Sequence, residues 1–198
     1  MKILVVDNYD KFAHNLLSLL EKLSGAEITV VKTDEADATV ADNYDGIIFS
    51  PGPGMPSEYP LMSQILDRVR DRKPILGICL GHQLIGEYFG ARLIHCGDSF
   101  QGVKKSIKIL DAGDELYKGI PDNFPAVLYN SWCVDRASVP PELKITAEYR
   151  SENGINYVMG FSHALYRIKS VQFHPESASA PDGEMIIKNW LDYALNNY

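Results

Sequence analysis

The sequence predicts an α/β fold: an open, mainly parallel central sheet flanked by helices, with additional antiparallel strands in the second half. Three observations carry this expectation. Short apolar runs alternate with helix-period segments through the first half, the pattern of strand–helix–strand units. Those runs are continuously apolar rather than alternating, as strands buried on both faces must be. The second half turns to short β-branched and aromatic runs separated by Pro, Gly and Asn, which reads as strands, several of them antiparallel.

Lys2–Asp7 (KILVVD) is the first predicted strand. Phe12, Leu16, Leu19, Leu20 and Leu23 then recur at spacings of three and four before Gly25, predicting a helix over 12–23. Strands are expected at Glu27–Lys32 and 46–50. Leu61, Met62, Ile65, Leu66 and Val69 mark a helix over 61–72 that must close before Pro74. A fourth strand, Ile75–Ile78, leads into a helix over 81–89 that stops at Gly90. Further strands are read at 103–110, 126–129, 143–149, 157–161 and 168–173. A last helix, Gly183–Leu195, can turn Met185, Ile186, Trp190, Tyr193 and Ala194 toward the sheet. No repeat and no linker divides the chain, so a single domain over 1–198 is expected.

Composition narrows the function classes. The 198 residues are 45% hydrophobic and 23% charged, which argues against disorder. A net charge of −7, with 19 basic against 26 acidic residues, repels a phosphate backbone or an anionic bilayer, so neither nucleic acid nor membrane is expected as partner. The apolar runs are too short to span a bilayer, and the segment before Asp7 is too short for a signal peptide. Three cysteines, Cys79, Cys96 and Cys133, form no CxxC, against a disulfide framework or a zinc cluster. A reducing, cytoplasmic setting without metal or cofactor is the expectation.

Chemistry concentrates in three segments. Gly77-Ile78-Cys79-Leu80-Gly81 lies between a predicted strand and a predicted helix, the cysteine form of a G-x-nucleophile-x-G elbow. A thiol there meets the positive end of a helix, which favours thiolate. By itself the pentapeptide is equally consistent with a buried, inert cysteine. Downstream, Gln172-Phe173-His174-Pro175-Glu176 offers a histidine and a carboxylate two residues apart, on one face if the segment is extended. Together with Cys79 these supply nucleophile, base and orienter. Ser50-Pro51-Gly52-Pro53-Gly54, directly after the third strand, can expose glycine amides as an oxyanion hole requires, although composition alone would also allow a plain turn.

These segments, with Asp7-Asn8-Tyr9-Asp10, Asn15-Leu16, His82-Gln83 and Val171 through Ser177, make the chain resemble the class I (triad-type) glutamine amidotransferases over nearly its whole length. Within them it is similar to the component II subunits of anthranilate synthase and their aminodeoxychorismate synthase counterparts. The resemblance implies a glutaminase in which Cys79 attacks the side-chain amide of L-glutamine to form a thioester, His174 moves the protons and Glu176 orients it. It further implies that the Gly54 and Leu80 amides, beside Gly52 and Pro53, form the oxyanion hole. Gln83 with the backbone of Ser131 and Trp132 would hold the amino-acid end. A large chorismate-binding synthase subunit, in a heterodimer or heterotetramer, would be the partner receiving ammonia. The family's usual D-N-Y-D-S-F-T-Y continues here as Lys11-Phe12-Ala13-His14, and Gln101 and Asn130 each stand where histidine is usual. Two alternatives are a GMP synthase glutaminase subunit, disfavoured by the 7–10 opening, and a non-catalytic regulatory module, disfavoured by the intact Cys79, His174 and Glu176.

Overall fold

The computed structural model describes residues 1–97 and 99–195. β1 (Lys2–Asp7) lies between β2 (Glu27–Lys32) and β3 (Gly46–Phe49), β3 pairs with β4 (Ile75–Ile78), and β4 with β11 (Ile168–Val171), all in parallel. From β11 the sheet continues antiparallel through β10 (Asn156–His163), β9 (Leu143–Arg150), β6 (Val103–Ile109) and β7 (Asn123–Leu128). The nine strands run in the order β2-β1-β3-β4-β11-β10-β9-β6-β7, and β5 (Leu93–His95) and β8 (Trp132–Val134) form a separate antiparallel ribbon. Among the described residues four α-helices, α1 (Ala13–Leu23), α2 (Pro60–Val69), α3 (Leu80–Tyr88) and α4 (Gly183–Leu195), cover the sheet.

The continuous apolar runs are explained by two cores, one on each face. Ile3, Val5, Ile48, Leu76 and Ile78 pack with Leu16 and Leu20 of α1 and with Ile186, Ile187 and Trp190 of α4. The alternate residues Leu4, Val6, Ile47, Phe49 and Ile75 pack with Leu61, Met62, Ile65 and Leu66 of α2 and Leu84 and Ile85 of α3. Side chains alternate across a strand, so a strand sandwiched between helices has to be apolar at every position.

The differences from expectation have local causes. α2 begins at Pro60, in the first turn, where the missing N–H is not needed, and ends at Val69. β7 starts at Asn123 and contains Pro125; it pairs only with β6, so proline can sit in it without losing a ladder bond on both sides. β5 and β8 are three residues each, too short to show a period of two. β11 stops at Val171; the Gln172 N–H still bonds the Met159 carbonyl in the register of β10 at 3.0 Å, and the chain then turns away, with the His174 N–H on the Val127 carbonyl at 2.9 Å. The second of these bonds joins the end of β11 to β7, four strands away in the sheet order, so the antiparallel half curls back on itself.

Candidate active site

Cys79 occupies the one-residue junction between β4 and α3, with φ 52° and ψ −98°. A non-glycine residue at positive φ costs on the order of 1–3 kcal/mol and persists only where its surroundings over-determine it. Here they do. The Cys79 N–H donates to the Val171 carbonyl of β11 at 2.9 Å, and its carbonyl receives the Gln83 N–H at 3.0 Å, opening α3. The two flanking glycines are required by close approach: a Cβ on Gly77 would sit 2.6 Å from the Gly81 carbonyl, and one on Gly81 2.5 Å from the Phe49 carbonyl. The elbow is as tight as its spacing suggests.

His174 and Glu176 are brought together by a turn past the end of β11, not by extended backbone; the Ser177 N–H closes on the His174 carbonyl at 3.3 Å. His174 Nδ1 lies 2.6 Å from Glu176 Oε1, with both residues buried. Burial alone would lower the His174 pKa, but the facing Cys79 and Glu176 outweigh it and hold it well above the ordinary value. Cys79 raises the imidazole's pKa by its charge and by hydrogen bonding, and Nε2 is the ring nitrogen that Glu176 leaves for it. Phe12 and Tyr129 wall the imidazole, ring centroids 6.1 and 5.0 Å away.

The loop after β3 is braced from two directions. Asn8 Nδ2 donates to the Ser50 carbonyl at 3.0 Å, and the Asn8 N–H to Ser50 Oγ at 3.1 Å. The Tyr59 hydroxyl donates to the Pro53 carbonyl at 2.9 Å, and Glu58 Oε1 takes the Met55 N–H at 2.7 Å beneath Gly54, which has φ 76°. A cleft of about 270 Å³ is lined by Gly52, Pro53 and Gly54 of this loop together with Cys79, Gln83, Tyr129, Asn130, Ser131 and Trp132. The Leu80 side chain is not part of that wall; it is buried in the core under α2, and its backbone opens α3.

A second cleft of about 240 Å³ meets the first at Cys79, Gly52, Pro53 and Tyr129, and adds His174, Asp10, Lys11 and Gln101. Cys79 therefore stands between two openings. Tyr9, at φ 58°, turns the chain so that the Asp10 N–H reaches Asp7 Oδ1 at 3.2 Å and Asp10 joins the second cleft. Burial, then the charge of Glu176, pushes the Asp10 carboxyl up to about 6, with His174 pulling the other way.

Asp10, Asn8, Glu58, Tyr129 and Gln172 are site residues to which sequence reading assigned no role. Asn8, Asp10 and Gln172 stand inside motifs already singled out, but nothing local marks which way their side chains turn. His82 is buried neutral: its pKa falls to about 3 through desolvation, Nδ1 bonds Ser170 Oγ at 2.8 Å, and the ring packs on Phe161. It belongs to the framework. Among the departures from the family pattern, Asn130 Nδ2 bonds the Trp132 carbonyl at 2.9 Å, and Gln101 Nε2 bonds Ser99 Oγ at 2.8 Å.

Comparison with known proteins bears on the family to which the chain belongs. The family model for class-I glutamine amidotransferases matches residues 4–193. The anthranilate synthase component 2 of Thermus thermophilus is 40% identical over 194 residues, covering 97% of this chain and 92% of that protein. The one from Methanothermobacter marburgensis is 37% identical over 198 residues, covering 96% and 97%. Among solved structures, a Thermoplasma acidophilum protein described as a GMP synthase subunit superposes with a TM-score of 0.85 at 26% identity, over 98% of this chain and 94% of that one. A Thermotoga maritima glutamine amidotransferase shares the fold at a TM-score of 0.81 and 14% identity, over 99% and 98%. With a family model and full-length relatives in agreement, the chain belongs to the class-I glutamine amidotransferases.

Proposed function

We propose that this chain is the glutaminase subunit of a two-chain chorismate aminase, an anthranilate or aminodeoxychorismate synthase, and that it works as one domain. The observation that carries the reading is the meeting at one cleft of a strained cysteine and a buried histidine–carboxylate pair. Full-length relatives named anthranilate synthase component 2 support the choice of branch.

In this mechanism Cys79 Sγ attacks the side-chain amide carbon of L-glutamine. The oxygen's developing charge is met by the amides of Gly54 and Leu80, the latter among the first N–H groups that a helix leaves unpaired. His174 passes a proton to the departing ammonia, leaving a γ-glutamyl thioester; it then takes a proton from water, which attacks the thioester and releases glutamate. Glu176 holds the ring through Nδ1 and so keeps Nε2 toward the sulfur. Gln83, Ser131 and Trp132 hold the amino-acid end of the substrate. The Trp132 carbonyl already receives Gln83 Nε2 and Asn130 Nδ2, so its N–H is the group left for the substrate α-carboxylate.

A cleft of about 270 Å³ suits a small polar metabolite, not a macromolecule. Ammonia would pass to a large chorismate-binding subunit, in a heterodimer or heterotetramer. Among the described residues no helix is long and apolar enough to cross a membrane. The deciding experiment pairs the chain with such a partner. Cys79→Ala should abolish glutamine-dependent amination and spare ammonia-dependent amination. Loss of both in an assembled complex would contradict the assignment. A second reading, a GMP synthase glutaminase, is favoured by the Thermoplasma likeness; it predicts that only an aminating partner acting on a nucleotide couples to glutamine hydrolysis.

A further inference from the structure

Between the substrate cleft and the nucleophile runs a line of side-chain amides, of which the mechanism above uses Gln83 for the substrate but gives Gln172 no part. Gln83 Nε2 donates to the Trp132 carbonyl at 2.8 Å and to Gln172 Oε1 at 3.2 Å. Gln172 Nε2 in turn donates to Cys79 Sγ at 3.5 Å. Gln172 is completely buried and Gln83 nearly so, so neither amide is free to exchange these partners for water.

The direction of this relay is dictated from one end. An amide's oxygen and nitrogen are told apart by their partners, and a backbone carbonyl can only accept. Gln83 must therefore turn its NH2 group to Trp132, since its oxygen there would set two acceptors 2.8 Å apart. The second N–H on the same nitrogen needs an acceptor, which only the oxygen of Gln172 provides. That leaves the NH2 group of Gln172 facing the sulfur. Run in the opposite sense, the chain would aim an amide oxygen at Cys79 and disfavour its anion.

We propose that Gln172 is a further catalytic residue, whose side-chain N–H stabilises the Cys79 thiolate with a polarity imposed by the Trp132 carbonyl through Gln83. A hydrogen bond donated to the charged form of a group favours that form, and bonds to ions exceed neutral ones in strength. Gln83 also lines the cleft, so the residue proposed to hold the substrate is one bond away from the residue that tunes the nucleophile. The other charged or titratable groups that share the clefts of Cys79 are His174, with Glu176 behind it, on the turn after β11, Tyr9, Asp10 and Lys11 on the turn after β1, and Tyr129 after β7. The catalytic consequence rests on the glutaminase reading. The effect on the thiol does not.

The experiment measures alkylation of Cys79 by iodoacetamide across pH on the full chain, located by mass. All three cysteines are buried, but Cys79 lines both clefts, contact with Cys96 together with burial pushes the Cys133 thiol up, and mass separates a label on Cys79 from one on Cys96 or Cys133. Gln172→Leu should slow alkylation about tenfold at pH 7 and move the midpoint of the profile upward. Gln172→Glu keeps the shape but replaces the donor with an acceptor, and should slow it further. Gln83→Glu, which does not touch the sulfur, should act in the same direction by reversing the relay. With a functional partner, the Gln172 variants should lose kcat for glutamine while KM holds. Midpoints within error of the parent in both Gln172 variants would overturn the proposal. Should the leucine variant not fold, the glutamate variant decides alone. A parent chain that alkylates normally but never hydrolyses glutamine would count against the proposed function and leave the relay test standing.

Discussion

Gly183, the first residue of α4, touches the backbone of Pro175 so closely that a Cβ on it would lie 1.9 Å from the Pro175 carbonyl oxygen. Pro175 sits between His174 and Glu176, so the start of a helix remote from the cleft sets the turn that carries both. In an exposed helix, replacing glycine by alanine would stabilise by up to about 1 kcal/mol. Here Gly183→Ala should reverse that sign, destabilising by about 1–3 kcal/mol through overpacking, and should lower glutamine turnover at least tenfold by displacing the turn. Urea denaturation and steady-state kinetics check both. A more stable and fully active variant would mean that the contact has room to relax.

Removal of His174 should cost more than removal of Glu176. The first deprives both half-reactions of proton transfer; the second leaves a base that is only less well held. Glu176→Gln should lower the imidazole's pKa, because a carboxylate that holds it up is gone, and should move the acid limb of kcat against pH accordingly. Equal rates for His174→Ala and Glu176→Ala would show these roles to be misassigned.

Asp10 makes stability depend on pH in a predictable direction. Its carboxyl titrates at about 6 in the folded protein, above the value of 3.8 taken for a free aspartate, because burial and then Glu176 oppose its charge. The folded state therefore binds this proton more tightly than the unfolded state. The resulting stabilisation is full below about pH 4 and is lost as the pH rises through about 6. Asp10→Asn should gain on the order of 1 kcal/mol over the parent at pH 7.5, allowing for solvent that still reaches the group, and gain nothing near pH 4. Denaturation curves at the two pH values should differ by that amount; a gap independent of pH would remove Asp10 as its source.

Turnover in the isolated chain should be low and should rise tenfold or more with partner and chorismate, a change of only about 1.4 kcal/mol in the barrier. Lys11 and Phe12 line the second cleft beside Cys79 and His174, where a docked subunit could complete the site. Glutamate release at saturating glutamine, with and without partner, is the measurement. Equal rates would end the gating idea and leave the chemistry of Cys79 untouched.

Much of this site is legible in the sequence, and unevenly so. Gly77 and Gly81 around Cys79 declare the elbow, because a strand-to-helix turn of one residue leaves no space for Cβ atoms. Gly52, Pro53, Gly54, Gln83, Ser131 and Trp132, drawn from three separate segments, line a single cleft. The extended geometry expected for 172–176 is not what forms; β11 ends at Val171, and a turn holds His174 to Glu176. The side chains of Asp10 and Gln172 could not be placed in advance, since each turns toward a group far away in the sequence.

What the sequence determined by itself is whatever nearest neighbours decide: the alternation of strands and helices, the two-sided burial of β1, β3 and β4, and the tight turn at Cys79. These follow from steric and solvation preferences that act within a few residues. Tertiary structure alone decided which distant segments meet. β11 pairs in parallel with β4, setting Val171 beside Ile78, and that one register delivers Gln172 and His174 to a cysteine more than ninety residues away. The curl of the antiparallel half then ties His174 to β7, and α4 closes on Pro175. Strand pairing is a choice among many edges of similar local character, made by the packing of the whole sheet, so no local pattern encodes it.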